Sequence, residues 1–552
     1  MSDNNRAPEK RVRHFRQILL WPLQLMPIRA GAQVQKHWEV LEQEREDNPW
    51  HEVLDEFTGD PTEFKERHYN EFVTFLPHVQ RFLYGESRRA GNDAERGASP
   101  MRVFRREDVA AARLTPKGGD PPVTLSVAHV DLYFFFDIDV VLLGVEVFAD
   151  DLPVVLAEEV LYRFGRAYPA GWDDEGAGVH CVHKAEWLSA EGAVLAVSDY
   201  EKRDKYLSFV CRHRAPCLAA HWAFLLRPLV LDHADERGVI RYRQIEYYRM
   251  PVMGYLAMDN PKALSRGDFI RLGLVTAAGS DEALPYSDRH VADFEENFCY
   301  DRYWSDRVDG RNTRYLCCGH ALVAVGDANA RVFTDRETGV FSQFRHQYFL
   351  LFLIAHFHKA ALLMISDRLV DALNRLEVHN AESVKRFKRA IRQQFEIFLR
   401  FMHRYWFHEL SDQAQSKALY RLCARHLGTD ALFEEVKDEI QEMSDYLDSD
   451  SLRRQANTVV RLTVVTTFGL IGTLCTGFLG MNLIDAAENA LWERALLFLL
   501  FFVPSAVLIL FFIVKSKPLA DFLEALSDDR LSIDARLRTL SDVWRSRTRP
   551  SS

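Results

Sequence analysis

The chain has no block of basic residues. Its 69 Lys and Arg are outnumbered by 79 Asp and Glu, and the net charge of -10 is spread over all 552 residues. That distribution excludes the electrostatic footprint of a nucleic-acid-binding protein, so no nucleic-acid partner is expected. Cysteine is scarce as well. Eight cysteines at irregular spacings make no disulfide framework and point to a reducing compartment. No phosphate-cradling loop and no nucleophile with its base stands out, which argues against an enzyme and against an ATP-driven pump. At the N-terminus, basic residues precede the apolar stretch Ile18-Leu19-Leu20-Trp21-Pro22-Leu23, and Ala30-Gly31-Ala32 has the look of a cleavage site. Pro22, Gln24 and Pro27 break that pattern, so a surface or interfacial segment is expected rather than a signal peptide.

What the chain does have is two long apolar segments near its C-terminus, Leu462–Leu479 and Ala495–Val514. At ~1.5 Å per residue each reaches roughly 27–30 Å, enough to cross a bilayer core. Between them lies a short loop that begins with Gly480-Met481-Asn482. Arg453, Arg454 and Arg461 precede the first segment and Lys515 and Lys517 follow the second, whereas the loop carries Asp485, Glu488 and Glu493 against Arg494 alone. The positive-inside rule then places both termini in the cytoplasm, in a bacterial cell at the inner membrane.

The rest of the chain predicts a soluble region of several parts. Residues 1–100 read as a helical extension, with Phe64, Tyr69, Phe72, Phe75 and Leu76 forming an apolar stripe. Residues 101–341 read as an α/β domain on a mixed or antiparallel sheet, with strand runs at Val123–Val130, Leu132–Phe136, Val140–Phe148 and Val239–Tyr248. Residues 342–461 read as helical. Gly428-Thr429 stops one helix and caps the next, which continues without proline into the first apolar segment as a stalk of roughly 50 residues. Residues 515–552 form a tail. His180-Cys181-Val182-His183, Cys211-Arg212-His213 with Cys217 and His221, and Cys317-Cys318-Gly319-His320 contain zinc-ligand types at spacings that fit no compact zinc motif, and buried cysteines with ordinary histidines are the plainer reading.

The two apolar segments differ in kind. The second is apolar on all sides and suits lipid. The first places Val459, Thr463, Thr466, Leu470, Thr473 and Gly477 at alternating spacings of four and three, hence on one face. Threonine hydroxyls bond hydration water without presenting charge, and apolar rings at Val459 and Leu470 close a channel by dewetting. On spacing alone the stripe suits close helix packing equally well. Two spans enclose no aqueous path by themselves, so a pore requires a ring of subunits.

The tripeptide after a long stalk helix and the first of two C-terminal spans resembles the CorA family of divalent-cation transporters. The resemblance is strongest over 460–515, plausible over 345–460 and architectural before that. It implies a homopentamer in membrane lipid, five first spans lining the pore, and a ring formed by Gly480, Met481 and Asn482 that recognises hydrated Mg²⁺ through its water shell. Glu488 falls where the family carries an acidic residue that draws cations to the mouth. The resemblance favours pore lining for the threonine stripe. It also suggests a regulatory Mg²⁺ site on the acidic stalk face (Glu434, Glu435, Asp438, Glu439, Glu442, Asp445, Asp448, Asp450), where a solvated face is the plainer reading. No resident cofactor is implied. Leu479 replaces the usual aromatic residue, Ala487 the usual proline, and the tail is longer than usual. Selectivity among Mg²⁺, Co²⁺, Ni²⁺ and Zn²⁺ stays open, as do a zinc transporter of the same superfamily and a membrane-anchored sensor without transport.

Overall fold

The computed structural model describes residues 10–28, 36–43, 48–53, 64–85, 99–246, 248–279, 284–307, 312–377, 380–479 and 490–514. The chain divides into two units, Met1–Ile440 and Gln441–Ser552. Gly480, Met481, Asn482, Glu488 and the tail 515–552 lie outside the described residues.

Among the described residues, the first unit is built on one 14-stranded sheet. In chain order its strands are β1 (Arg11–Leu25), β2 (Trp50–Glu52), β3 (Met101–Arg106), β4 (Ala111–Thr115), β5 (Val123–Phe135), β6 (Ile138–Pro153) and β7 (Lys184–Leu188). They continue with β8 (Val194–Val197), β9 (Val230–Leu231), β10 (Arg241–Gln244), β11 (Val252–Met258), β12 (Cys299–Tyr300), β13 (Arg314–Cys317) and β14 (Ala321–Asp327). The main path runs β12-β13-β14-β11-β1-β6-β5-β4-β7-β8. Pairing is antiparallel except between β11 and β14 and between β9 and β10.

β1 overturns the expectation of a helical N-terminal extension. Residues 11–25 are the central strand, held by β6 on one side and by β11 and then β10 on the other. Leu19, Leu20 and Trp21 are at most 1% exposed, so both faces of the strand are covered. A strand buried on both faces loses the two-residue alternation and reads as a plain apolar run. Pro22 survives there for a local reason. Leu20 donates its N–H to Pro251 and Met26 to Arg241, so even-numbered amides point to the β11/β10 side. Pro22 falls between the β11 ladder, which ends at Leu19, and the β10 ladder, which begins at Leu23. No ladder bond is lost. Helices do follow in this region, Glu66–Thr74 and Pro77–Tyr84, but Tyr69 of the expected stripe is exposed. The strand expected at 239–248 shortens to β10, and the two runs at 123–136 form a single strand with a bulge between Val127 and His129.

After Gly339 the chain is helical, through Val340–Gln343, a π-turn at Phe344–Tyr348 and the core helix Phe349–Asn374. Among the described residues, Val340–Asn374 is the helical run long and apolar enough to cross a membrane, yet 78% of its most apolar stretch is buried. It packs on β1 and β6, with Phe357 stacked on Phe135 at 3.8 Å between ring centres. Such a helix is a domain core. Helices Ala381–Arg404 and Ala414–Leu427 follow. Gly428 then ends the latter at φ 68°, a left-handed position that suits glycine.

The stalk helix Thr429–Leu479 is continuous over 51 residues. Within the first unit it buries Phe433, Val436 and Ile440, spaced by three and four, and Phe433 stacks on Trp406 at 4.3 Å. The last helix, Leu491–Val514, has 24 residues with Pro504 inside it.

Candidate pore-lining face and the polar clusters of the sheet domain

Both expected spans are helical throughout, as parts of the stalk helix and the last helix. All six residues of the expected pore face are exposed: Val459 at 61%, Leu470 at 62%, and Thr463, Thr466, Thr473 and Gly477 with them. Val464 is 2% exposed. At ~100° per residue it sits roughly 140° round the helix from the stripe's centre. The helix therefore has a shielded side, and the threonine face is turned away from it.

The hydroxyls on this face have a fixed orientation. Thr463 donates to the carbonyl of Val459 at 2.9 Å, Thr466 to Leu462 at 2.6 Å and Thr473 to Gly469 at 2.9 Å. A hydroxyl that spends its proton on the preceding turn keeps its lone pairs facing outward. Thr467, outside the stripe, donates to the carbonyl of Thr463 at 2.8 Å in the same way. Among the described residues, nothing lies within 4 Å of a Cβ added at Gly477.

The last helix exposes Trp492, Leu496, Leu499, Val503 and Val507, each between 48% and 66%. They follow the three-and-four spacing of one helical face, and an apolar face of that length has no place in water. Pro504 lies inside this helix and removes one backbone donor, a substitution tolerated in spanning helices.

On the stalk, Glu434, Glu435, Asp438, Glu442 and Asp445 are exposed and Glu439 is half-buried. Lys437 pairs with Glu434 at 2.6 Å. This is the geometry of a solvated acidic face. The side chains of Asp448 and Asp450 are outside the description. The histidine and cysteine candidates do not converge: among the described residues no group of three His, Cys, Asp or Glu is placed to hold a metal. Cys181 and Cys217 are buried and Cys211 is exposed. Burial pushes the Cys181 thiol up to about 12 and the wholly buried His221 down to about 3, as expected of packing residues.

Sequence reasoning passed over the charged cluster beneath the π-turn. Glu146 of β6, 6% exposed, accepts from Arg16 of β1 at 2.5 Å and from Arg345 at 2.8 Å. Arg345 also lies 3.1 Å from Nε2 of His129. Burial pulls the Glu146 carboxyl upward, but Arg345 and Arg16 outweigh it and hold the group below its ordinary value. The four residues are distant in sequence, and only the cross-strand register Arg16↔Phe148, Ile18↔Glu146 brings them together. No local pattern signals them.

Among the described residues, then, a long helix with an exposed threonine face is followed by a second helix with an exposed apolar face. Residues 365–515 match the family model described as CorA-like Mg²⁺ transporter protein. Over that region, from the end of the core helix through the last helix, the chain is CorA-like, and the family points to transport of divalent cations. The sheet lies wholly outside the match. No curated protein and no solved structure matches the chain.

Proposed function

We propose that the chain is one subunit of a homopentameric channel that carries Mg²⁺, or a related divalent cation, across the cell's inner membrane. One observation supports this reading above the others: every member of the Val459–Gly477 stripe is exposed, with its threonine hydroxyls donating to the preceding turn of the same helix. In a closed ring of copies that face meets the axis, where acceptors without formal charge hold a hydrated dication weakly enough to release it. Leu470, and Val459 below it, supply apolar constrictions. The exposed apolar face of the last helix meets lipid. Gly480, Met481 and Asn482 form the outer collar, and Glu488 raises the local cation concentration. Both termini lie in the cytoplasm, on the side of the basic flanks. Entry is driven by the membrane potential, worth about 4.6 kcal/mol for a divalent ion per 100 mV.

The test is flux into proteoliposomes loaded with a cation-sensitive dye, with Mg²⁺, Co²⁺, Ni²⁺ and Zn²⁺ in turn, with and without a proton gradient. Passive Mg²⁺ entry that follows the imposed potential is the expected result. Zn²⁺ entry that requires the proton gradient would reassign the cargo, a reading that Leu479 and Ala487 leave room for. Absence of flux for all four ions would leave the spans as an anchor for a cytoplasmic sensor.

A further inference from the structure

Arg166 and Arg249 face each other across an isolated antiparallel bridge that joins the segment just after the helix Val154–Arg163 to the segment just before β11. The bridge is well made, with Met250 donating to Gly165 at 2.9 Å and Ala167 to Tyr248 at 2.8 Å. Directly paired residues project from the same side of such a bridge, with Cβ atoms about 4.5–5.5 Å apart, and like charges there repel. The pair is also withdrawn from water. Arg166 is 2% exposed and Arg249 is half-buried.

No carboxylate among the described residues pairs with either guanidinium. The neighbouring cations differ in this respect. Arg163 has Glu159 at 2.5 Å, Lys117 has the other oxygen of Glu159 at 3.0 Å, and Lys359 has Glu246 at 3.2 Å. Arg249 is partly accounted for, since its Nη2 donates to the carbonyls of Leu274 at 2.9 Å and Val275 at 2.5 Å, at the C-terminal end of the helix Arg266–Leu274. Arg166 is not. Its Nε donates to the carbonyl of Tyr162 at 3.0 Å, and its two terminal nitrogens have no acceptor among the described residues. The guanidinium is sandwiched instead, 5.0 Å from the Tyr162 ring and 5.1 Å from that of Tyr248.

The surroundings add no negative charge. His180, held at φ 67° in the left-handed region, bonds the Tyr162 hydroxyl through Nδ1 beside the pair. Burial and then Arg166 lower Arg249 to about 10, and burial followed by Arg249 and Arg166 lowers His320 to about 3. A buried Arg166 beside a half-buried Arg249, with no counter-ion among the described residues, is unfavourable as it stands and becomes favourable once an anion bridges the two. Two planar forks, one held between aromatic rings and the other by backbone carbonyls, are a donor set that recognises the oxygens of a phosphate.

We propose that Arg166 and Arg249 form a binding site for a phosphate group in the sheet domain. Free inorganic phosphate and the terminal phosphate of a nucleotide share this chemistry. The site is independent of the pore face and of the proposed transport.

The test uses the full-length protein in detergent micelles. Inorganic phosphate and ADP are titrated separately by calorimetry, and melting temperatures are read against chloride at matched ionic strength. Saturable binding and a raised melting temperature are expected for the wild type. Arg166→Gln should weaken the dissociation constant about tenfold or more, the loss of charge-assisted hydrogen bonds. Without anion the same variant should melt no lower than the wild type, because the like-charge repulsion is gone. Should that variant fail to fold, phenylglyoxal modification of the wild type with peptide mapping reads the same site, and phosphate should protect Arg166 or Arg249. Tighter binding of ADP than of phosphate would identify a nucleotide as the source, and equal binding free phosphate. Absence of saturable binding by both, unchanged affinity in Arg166→Gln, or modification that phosphate does not slow would each overturn the proposal.

Discussion

Glu146 ties the strand layer to the segment that starts the core helix. It is nearly buried, and both cations that neutralise it, Arg16 and Arg345, are partly buried as well. Arg16 in turn lies over Phe148 at 4.6 Å and Phe341 at 5.0 Å, so the cluster joins two strands to the π-turn. Removing one member of a buried pair typically costs about 3–5 kcal/mol, because the survivors stay charged and unpaired. Glu146→Ala should therefore lower the melting temperature of the full-length protein markedly, while Glu146→Gln, which keeps the shape, should lower it less. The pH dependence has a definite sign. The folded carboxyl titrates below its ordinary value, so its stabilisation is present above about pH 4.3 and is lost as pH falls through the depressed value. Melting curves recorded from pH 7 down to pH 3 should fall more steeply for the wild type than for Glu146→Gln. Equal slopes would show that the cluster contributes nothing. At the membrane end, Asn482→Ala should abolish Mg²⁺ uptake in proteoliposomes while leaving the size of the assembled particle unchanged. Normal uptake by that variant would refute the collar.

At the scale of elements, legibility followed how much of each signal was local. The stalk was readable because its evidence lies within the helix: a glycine stop at Gly428, no proline, and an apolar repeat through Val436 and Ile440. β1 was not, because the strands that pair with it and the helices Val154–Arg163 and Phe349–Asn374 that pack on it lie more than a hundred residues away. The core helix was readable as a helix, but its packing on β1 and β6 had no counterpart in its own residues. The stripe from Val459 to Gly477 was read from spacing, and the structure adds what spacing leaves out, the bonds of its threonine hydroxyls to the preceding turn and the shielded position of Val464. The pairing of Arg166 with Arg249 depends on a bridge between segments 83 positions apart by number and left no trace in either one. A prediction belongs to the stripe. Leu470→Ala removes an apolar constriction and should raise the resting flux of Mg²⁺, whereas Gly477→Leu adds bulk at the end of the stripe and should reduce it. Identical flux in both variants would separate the stripe from conduction.

For the whole molecule, the CorA-like match covers the helical C-terminal region and leaves the 14-stranded sheet without a counterpart in the family model. The transport reading therefore rests on the stalk and the last helix, and the sheet domain carries a chemistry of its own. If the chain works as a ring, native mass measurement in lipid nanodiscs should give five copies per particle. The central claim, that copies of the threonine face surround a water-filled axis, is tested most directly by cysteine scanning from 459 to 477. Single cysteines are introduced into a background with the native ones replaced by serine, and each is challenged in proteoliposomes with a membrane-impermeant thiol reagent. Modification should peak at 459, 463, 466, 470, 473 and 477 and be slow at 464, and reagent bound at the peaks should block Mg²⁺ flux. Uniform protection along the helix, or reaction centred on 464, would contradict it.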